Sequence, residues 1–356
     1  MFQYSVGMSA AQESLWNGSL LATEPRRVNI IGKSNGVGLS RDIDILRSAL
    51  QQLGHEVNVL AIDSQGAGDR RSTWVQWRTR LRRAWQGRRF SERASADVNL
   101  LLEHVWFQHF ADARLNIAIP NPEWFDRHDL SFLSHVDQVW AKTAYTRQVF
   151  ESLGCNVAYV GFDSEDRFDP SVAKQRTYFH LAGKSTMKGT DRLLQVWSRH
   201  PEWPTLTVVR SGPAAPEVAN APNIEYISGY ISDDAVKRLQ NEKLFHVCVS
   251  LAEGWGHYIV EAMSVGAVTI TIDAPPMNEL VTPERGVLVA YAASGKQKLA
   301  TTYQFDEASF EAAIARTLAL SDVECAQLSA NARNWFLENK RGFGGRLDAA
   351  LRALPL

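Results

Sequence analysis

The sequence has few cysteines, no long apolar run and almost no net charge. Its three cysteines, Cys155, Cys248 and Cys325, lie far apart and form no Cys-x-x-Cys pair. This argues against a disulfide framework or a structural zinc site and favours a reducing compartment. No stretch reaches the ~18 consecutive apolar residues of a membrane span, and the start of the chain lacks the basic and apolar regions of a signal peptide. We therefore expect a cytoplasmic protein.

The composition is that of a folded protein with no general affinity for polyanions. Apolar residues fill 45% of the 356 positions, and a chain of this length usually forms two domains. The 38 Lys and Arg residues nearly balance the 39 Asp and Glu residues, which leaves a net charge of −1. Any basic surface must therefore be local.

Short apolar runs alternate with helical patterns along the whole chain. Strands are expected at 28–32, 57–62, 98–102, 115–119, 136–140, 157–162, 177–182, 205–210, 224–228, 244–250, 268–272 and 286–290. Helices are expected at 39–53, 143–153, 189–199, 232–242, 255–265, 306–320 and in the tail from 322 to 354. This alternation predicts an α/β protein with two Rossmann-like domains facing an interdomain cleft. We predict the first domain at 1–165, the second at 166–330, and a C-terminal helix at 331–356 packing back on the first.

The most informative segment, residues 251–266, reads LAEGWGHYIVEAMSVG and passes from a strand through two glycines into a helix. Gly254 and Gly256 allow close approach of a ligand to the backbone, and the start of the helix favours an anion such as a diphosphate. Glu253 and Glu261 are at most ~12 Å apart if the interval is helical, so they can contact different parts of one elongated ligand. The alternative is a capped helix with two incidental glutamates.

This string, with Val268 to Asp273 and the sequence NELV at 278–281, resembles the signature of the retaining GT-B nucleotide-sugar glycosyltransferases of family 4. The resemblance implies a GT-B fold whose second domain holds most of the donor. It also implies that Glu253 contacts hydroxyls of the donor sugar and that Glu261 contacts the ribose. Backbone contacts to the sugar or phosphate would come from three neighbours, Gly254, Trp255 and Gly256.

The sequence departs from that family at the start of the helix and in the following loop. His257 and Tyr258 replace the common Leu-Pro, and Pro275-Pro276 replaces the usual glycine pair. His257 remains a candidate donor contact because of its place in the signature. By the same resemblance, Tyr230 and Ile231, after another second-domain strand, lie where related enzymes contact the base.

A second candidate segment is Gly183-Lys184-Ser185-Thr186-Met187-Lys188, which also leads from a strand into a helix. It is not a P-loop, because Tyr178 stands where the earlier glycine is required. The resemblance implies that Lys184 and Lys188 neutralise the donor phosphates, with Gly183 at the turn. The alternative is a pair of solvated lysines. Fixed cations would stabilise the leaving diphosphate, so we expect neither a metal ion nor a cofactor.

The first domain contains three weaker candidates. The Gly36-Val37-Gly38 loop would, by the resemblance, shape the acceptor side of the cleft and approach the phosphates; otherwise it is a tight turn. Glu103 and His104 end a strand and could reach the reacting centre, although a structural histidine is an equal alternative. The loop NPEWF at 121–125 could form an acceptor platform or cap the core.

The segment Arg70 to Ser91 has eight arginines and no acidic residue, with Trp74, Trp77, Leu81 and Trp85 at helical spacing. It could dock on an anionic membrane beside a lipid-linked acceptor, bind nucleic acid, or be a core helix with solvated arginines.

Together these patterns predict a metal-independent, retaining glycosyltransferase. It would move a sugar from a nucleotide-diphosphate sugar to a hydroxyl of a glycan or lipid-linked glycan, either in the cytoplasm or at the inner face of a membrane as a peripheral protein. The alternatives are a GT-B phosphorylase or epimerase-like enzyme, a glycosyltransferase acting on modified nucleic acid, and a non-catalytic module that binds anionic polymers or membranes.

Overall fold

The computed structural model describes residues 24–33, 38–62 and 94–356. Two of the sequence candidates, Gly36 and the basic segment from Arg70 to Ser91, lie outside the described residues.

The first domain is built on a parallel sheet with the strand order β2-β1-β3-β4-β5-β6. Its strands are β1 (Arg27–Lys33), β2 (Glu56–Ile62), β3 (Ala96–Glu103), β4 (Ala113–Pro120), β5 (Gln138–Ala141) and β6 (Val157–Tyr159). Its α-helices are α1 (Gly38–Gln52), α2 (Arg127–Phe132) and α3 (Ala144–Ser152), and single 3-10 turns cover Phe107–His109 and Leu133–His135. The apolar stripe of α1 at Leu39, Ile43, Leu46 and Leu50 is buried.

A ladder of asparagines crosses the first sheet. Asn29 lies beside Asn58 on one strand and Asn99 on the other, and Asn116 continues the row on β4. The side-chain amide of Asn29 donates to Asn99 over 2.9 Å, and that of Asn99 donates to Asn116 over 2.8 Å. A shift of one residue would leave these amides without partners, so the ladder helps to fix the register of the strands.

The second domain is built on another parallel sheet, with the order β12-β11-β10-β7-β8-β9. Its strands are β7 (Gln175–Gly183), β8 (Leu206–Arg210), β9 (Ile224–Ser228), β10 (Lys243–Cys248), β11 (Val268–Ile272) and β12 (Gly286–Val289). Its helices are α4 (Thr190–Ser198), α5 (Pro216–Ala219), α6 (Asp233–Glu242), α7 (His257–Ser264), α8 (Met277–Leu280) and α9 (Glu307–Ala319). The prediction of two parallel-sheet α/β domains is confirmed.

An antiparallel hairpin that the sequence did not predict extends from the second domain. It consists of β13 (Tyr291–Gln297) and β14 (Ala300–Phe305). Near its tip, the Leu299 amide donates to the carbonyl of Pro122, and the Thr301 amide donates to the Tyr145 hydroxyl. The hairpin therefore joins the two domains.

The final helix, α10 (Asp322–Arg352), connects both domains. Ser321 and Glu324 form a capping box at its start, which satisfies backbone N–H groups that the helix leaves unpaired. The helix packs on α7 and β11 and then reaches the first domain, where Arg346 donates to the carbonyl of Val160. Within the described ranges, no helix has the length and apolar character needed to cross a membrane.

Candidate active site

Loops that follow strands of both sheets meet at the domain junction. Asn121 follows β4 and lies against Gly254, where a Cβ atom would sit only 2.3 Å from Asn121 Oδ1. Only glycine permits this approach. From α8, Glu279 accepts hydrogen bonds from the backbone amides of Ala144 and Tyr145, each over 2.7 Å. The second domain thus caps a helix of the first.

Lys188 and Glu253 come together at the carboxyl end of the second sheet. Lys188 Nζ lies 2.5 Å from Glu253 Oε1 and 3.6 Å from the centre of the Tyr258 ring. Ser250 Oγ also donates to Glu253 Oε1, over 2.5 Å, and contacts the Tyr258 hydroxyl. Burial raises the pKa of the Tyr258 phenol well above its usual value, so the ring remains neutral beside the ammonium group. The pair forms a partly exposed site with a fixed cation and a fixed carboxylate.

Gly256 turns the chain from this loop into α7. Its φ of 90° lies in the left-handed region, which glycine adopts without a steric penalty. The adjacent Trp255 is buried and donates from Nε1 to Ser164 Oγ over 3.0 Å. The turn therefore sets the direction of α7 while Trp255 attaches it to the segment between the domains.

His257 forms a chain of contacts between the domains. Its Nε2 lies 2.6 Å from Asp42 Oδ1 in α1, and its Nδ1 lies 2.8 Å from Ser164 Oγ. Lys142 Nζ lies 2.5 Å from the other Asp42 oxygen. Burial alone would raise the pKa of Asp42, but Lys142 and His257 outweigh it and lower this pKa to about 2. In this structure His257 holds the domains together.

Glu261 is buried, and both of its carboxylate oxygens are engaged. Arg41 Nη1 lies 2.6 Å from Oε1, and Gln240 Nε2 donates to Oε2 over 3.0 Å. Arg167 in turn orients Gln240 through a 2.9 Å hydrogen bond and pairs with Asp233. The candidate ribose contact is therefore held by one arginine of the first domain and by a network of the second.

Glu103 and His104 lie together at the end of β3, with 3.7 Å between His104 Nε2 and Glu103 Oε2. His104 Nδ1 lies 2.8 Å from Asp129 Oδ2. Glu103 has a φ of 63°, which is unusual for a residue with a side chain. Burial raises the pKa of Glu103, opposed by His104, Lys142 and a hydrogen bond with Asn121. Glu103 thus belongs to the charged group at the cleft, whereas His104 is anchored within the first domain.

The remaining sequence candidates are spread around the cleft. Lys184 is exposed and follows Gly183, whose φ of 57° forms the turn after β7. In the described part of the chain, Glu253 has an ion pair with Lys188 but none with Lys184. Tyr230 is 96% exposed and Ile231 partly buried in the loop after β9. Gly38 begins α1.

Sequence reasoning missed four residues that the structure brings to the junction: Arg41, Asp42, Lys142 and Ser164. Two of them could have been identified from features of the sequence around them. Asp42 is a carboxylate next to the apolar stripe of α1, and Lys142 lies two residues after the predicted strand at 136–140. Arg41 and Ser164 have no local signal, because their partners lie far away in the sequence.

A cavity of about 310 Å³ also lies between the domains, but it does not include the Lys188–Glu253 pair. Its walls include Thr143 and Tyr159 of the first domain, Trp255 of the second, and Trp335 and Arg346 of α10. We place the candidate chemistry at Lys188 and Glu253, because this cation and this carboxylate meet at the strand ends where ligands of such sheets bind.

Comparison with known proteins agrees with this arrangement. Residues 163–335 match the family model for glycosyl transferases group 1. A glycosyltransferase from Rickettsia africae has a similar structure, with a TM-score of 0.65, 12% identity and coverage of 93% of this chain and 98% of that one. Sucrose-phosphate synthase from Thermosynechococcus elongatus has a TM-score of 0.67 and 12% identity, with coverage of 92% of this chain and 98% of that one. Anabaena HepE, solved with UDP and glucose, has a TM-score of 0.63 and 14% identity, with coverage of 92% of this chain and 100% of that one. None of the curated protein sequences matches the chain.

These likenesses establish the GT-B fold, with two Rossmann-like domains and a cleft between them. The match to glycosyl transferases group 1 covers the second domain and the segment around Glu253. Together, the family match and the fold support a glycosyltransferase enzyme, as the sequence predicted.

Proposed function

We propose that this protein is a retaining glycosyltransferase that moves a sugar from a nucleoside-diphosphate sugar to an acceptor hydroxyl. The observation that carries the proposal is the Lys188–Glu253 pair at the carboxyl end of the second sheet, 2.5 Å between Nζ and Oε1. Ligands of such sheets bind at this end. The complex of Anabaena HepE with UDP and glucose supports a donor of this class.

Each donor-binding role falls to a residue with suitable chemistry. Lys188, together with the exposed Lys184, would face the diphosphate, and the start of α7 would add its partial positive charge. Glu253 would accept hydrogen bonds from hydroxyls of the sugar. Glu261 would take the ribose hydroxyls after it exchanges its contact with Arg41.

The reaction proceeds on one face of the sugar. The bond between the anomeric carbon and the phosphate oxygen breaks, and its electron pair leaves with the diphosphate. The acceptor oxygen bonds to the same face of that carbon, while its proton passes to a phosphate oxygen. Lysine cations stabilise the charge that builds on the diphosphate, and a metal ion is not needed for this role.

The acceptor would enter from the first domain. Trp124 is 40% exposed in the loop after β4 and offers a flat apolar face, whereas Phe125 of the same loop is buried in the core. We propose a hydroxyl of a glycan or of a lipid-linked glycan as the acceptor, in the cytoplasm.

A thermal-shift panel of UDP, GDP, ADP and dTDP, each alone and as a sugar conjugate, tests the donor site. At least one diphosphate should raise the melting temperature, since a ligand that binds only the native state stabilises it. Lys188→Ala should abolish that shift. Lys340→Ala is the matched control, because Lys340 pairs with Asp163 over 2.8 Å outside the candidate site. No shift with any diphosphate would refute the proposal.

Product analysis distinguishes this reaction from its alternatives. With the selected donor and a glycan acceptor, NMR should show a new glycosidic bond with the anomeric configuration of the donor. Release of sugar phosphate or an altered free sugar without an acceptor would indicate a phosphorylase or an epimerase instead.

A further inference from the structure

Glu123 is a buried carboxyl group to which the donor-binding roles above assign no task. It lies in the loop after β4, is 5% exposed, and has one carboxyl oxygen, Oε2, with no hydrogen-bond partner among the described residues. Burying such a group without a partner costs free energy, and apolar residues would avoid that cost. A ligand that enters the cleft could supply the partner that Oε2 lacks.

The loop that carries Glu123 is held between two parts of the second domain. On one side, Asn121 lies against Gly254, the neighbour of Glu253. On the other, the Leu299 amide at the tip of the β13–β14 hairpin donates to the carbonyl of Pro122 over 3.1 Å. Glu123 is thus fixed opposite the loop that carries the candidate sugar contact.

Burial, assisted by two neighbouring carboxylates, favours the neutral form of Glu123 at physiological pH. Burial raises the pKa of Glu123 to about 8; Glu253 and Glu103 add to this effect, while a backbone hydrogen bond and Lys142 oppose it. A neutral carboxyl group has an O–H that can donate a hydrogen bond, which an ionised carboxylate lacks. Glu253, by contrast, already accepts hydrogen bonds from Lys188 and Ser250.

We propose that Glu123 is a specificity-determining residue that donates a hydrogen bond from its carboxyl group to a hydroxyl oxygen of the transferred sugar, opposite Glu253. This inference rests on the proposed function. A sugar hydroxyl both donates and accepts hydrogen bonds. A hydrogen-bond donor on one wall of the cleft and a hydrogen-bond acceptor on the other can therefore bind two neighbouring hydroxyls of the sugar. A site built in this way discriminates strongly against a sugar that lacks the matching hydroxyl.

The test compares binding of a free nucleoside diphosphate with binding of its sugar conjugates by calorimetry at pH 6.5 and pH 9. The probes are UDP, UDP-glucose, UDP-galactose and UDP-N-acetylglucosamine, with the GDP, ADP and dTDP equivalents. The variants are Glu123→Gln, which keeps an N–H donor, and Glu123→Leu, which has none. Glu151→Gln, at an exposed glutamate of α3, is the control.

For the wild-type protein, we expect the extra affinity contributed by the sugar to fall about tenfold from pH 6.5 to pH 9. Glu123→Gln should remove this pH dependence, and Glu123→Leu should have the lowered contribution of the sugar, about tenfold below that of the wild type at pH 6.5, at both pH values. Affinity for the free diphosphate should change in neither variant. If Glu123→Leu does not fold, the pH profile of Glu123→Gln decides alone.

Three results would overturn the inference. The pH profile of Glu123→Gln could match that of the wild type, or Glu123→Leu could keep the full contribution of the sugar. The third is equal binding of a diphosphate and all its sugar conjugates, which would leave the diphosphate site of the proposed function intact. Failure of every diphosphate to bind would instead refute the proposed function, and this inference with it.

Discussion

Arg41 of the first domain is bound to Glu261 of the second, with 2.6 Å between Nη1 and Oε1. Glu261 is 1% exposed, whereas the Arg41 side chain is 40% exposed. The arginine therefore covers the carboxylate from the solvent side. Under the proposed function, a ribose that uses Glu261 would first have to displace this arginine, so nucleotide binding would compete with a contact between the domains.

Replacing Arg41 should consequently strengthen nucleotide binding. For Arg41→Met we expect up to about a fivefold lower Kd for the nucleoside diphosphate selected by the panel, since a partly exposed ion pair contributes up to ~1 kcal/mol. Glu261→Gln should raise the Kd. Arg47→Met is the matched control, because Arg47 pairs with Asp44 on the exposed side of the same helix. Weaker binding in Arg41→Met would show that Arg41 itself contacts the nucleotide.

The Asp42 carboxylate should stabilise the protein in a defined pH range. Its pKa is about 2 in the folded state, below its ordinary 3.8, so the contribution is complete above pH 3.8 and is lost as the pH falls toward 2. A shift of this size corresponds to about 2 kcal/mol. In urea unfolding, the stability difference between wild type and Asp42→Asn should shrink by this amount from pH 5 to pH 2. The exposed Asp44→Asn serves as a control, and an equal change there would contradict the assignment.

Glu123 should have the opposite pH dependence. Its pKa rises from 4.5 to about 8 on folding, so the unfolded chain loses this proton first and stability falls between these pH values. The full loss is on the order of 3 to 5 kcal/mol. Glu123→Gln should remove that slope, so its stability relative to wild type should rise from pH 4.5 to pH 8. Parallel profiles of the two proteins would show that Glu123 ionises normally.

The local signals in the sequence predicted most of the fold. Alternating apolar runs placed the strands of both sheets, because parallel strands covered by helices are buried along their length. The hairpin at 291–305 was missed because it lacks such an apolar signal. Most of β13 is exposed, with no apolar period, and its position depends on contacts at Pro122 and Tyr145 in the other domain.

The candidate site was predictable only where one segment contains it. Glu253 and Glu261 stand in a single strand-turn-helix motif, and Lys188 lies in a similar turn. One partner of Glu261 and one partner of His257 come instead from α1, more than two hundred residues earlier. No spacing rule within the chain connects Arg41 or Asp42 with those positions, so the interdomain contacts required the structure.

A substitution at Gly254 tests whether the close contact between the domains is needed for transfer. An alanine there would place its Cβ 2.3 Å from Asn121 Oδ1, and the two loops would have to separate. Under the proposed function the donor binds the second domain and the acceptor enters from the first, so transfer should suffer more than binding. We expect the transfer rate to fall at least about tenfold, while the Kd of the diphosphate changes much less.

Two further variants make this prediction specific. Gly344 lies in α10, and a Cβ atom added there would have no other atom within 4 Å. Gly344→Ala should therefore leave transfer unchanged and stabilise the helix by about 0.5–1 kcal/mol. Asn121→Gly removes the side-chain atoms that the new methyl group of Gly254→Ala would meet, so combining the two substitutions should restore part of the transfer rate. Normal transfer by the single Gly254→Ala variant would mean that the domains need not approach this closely during the reaction.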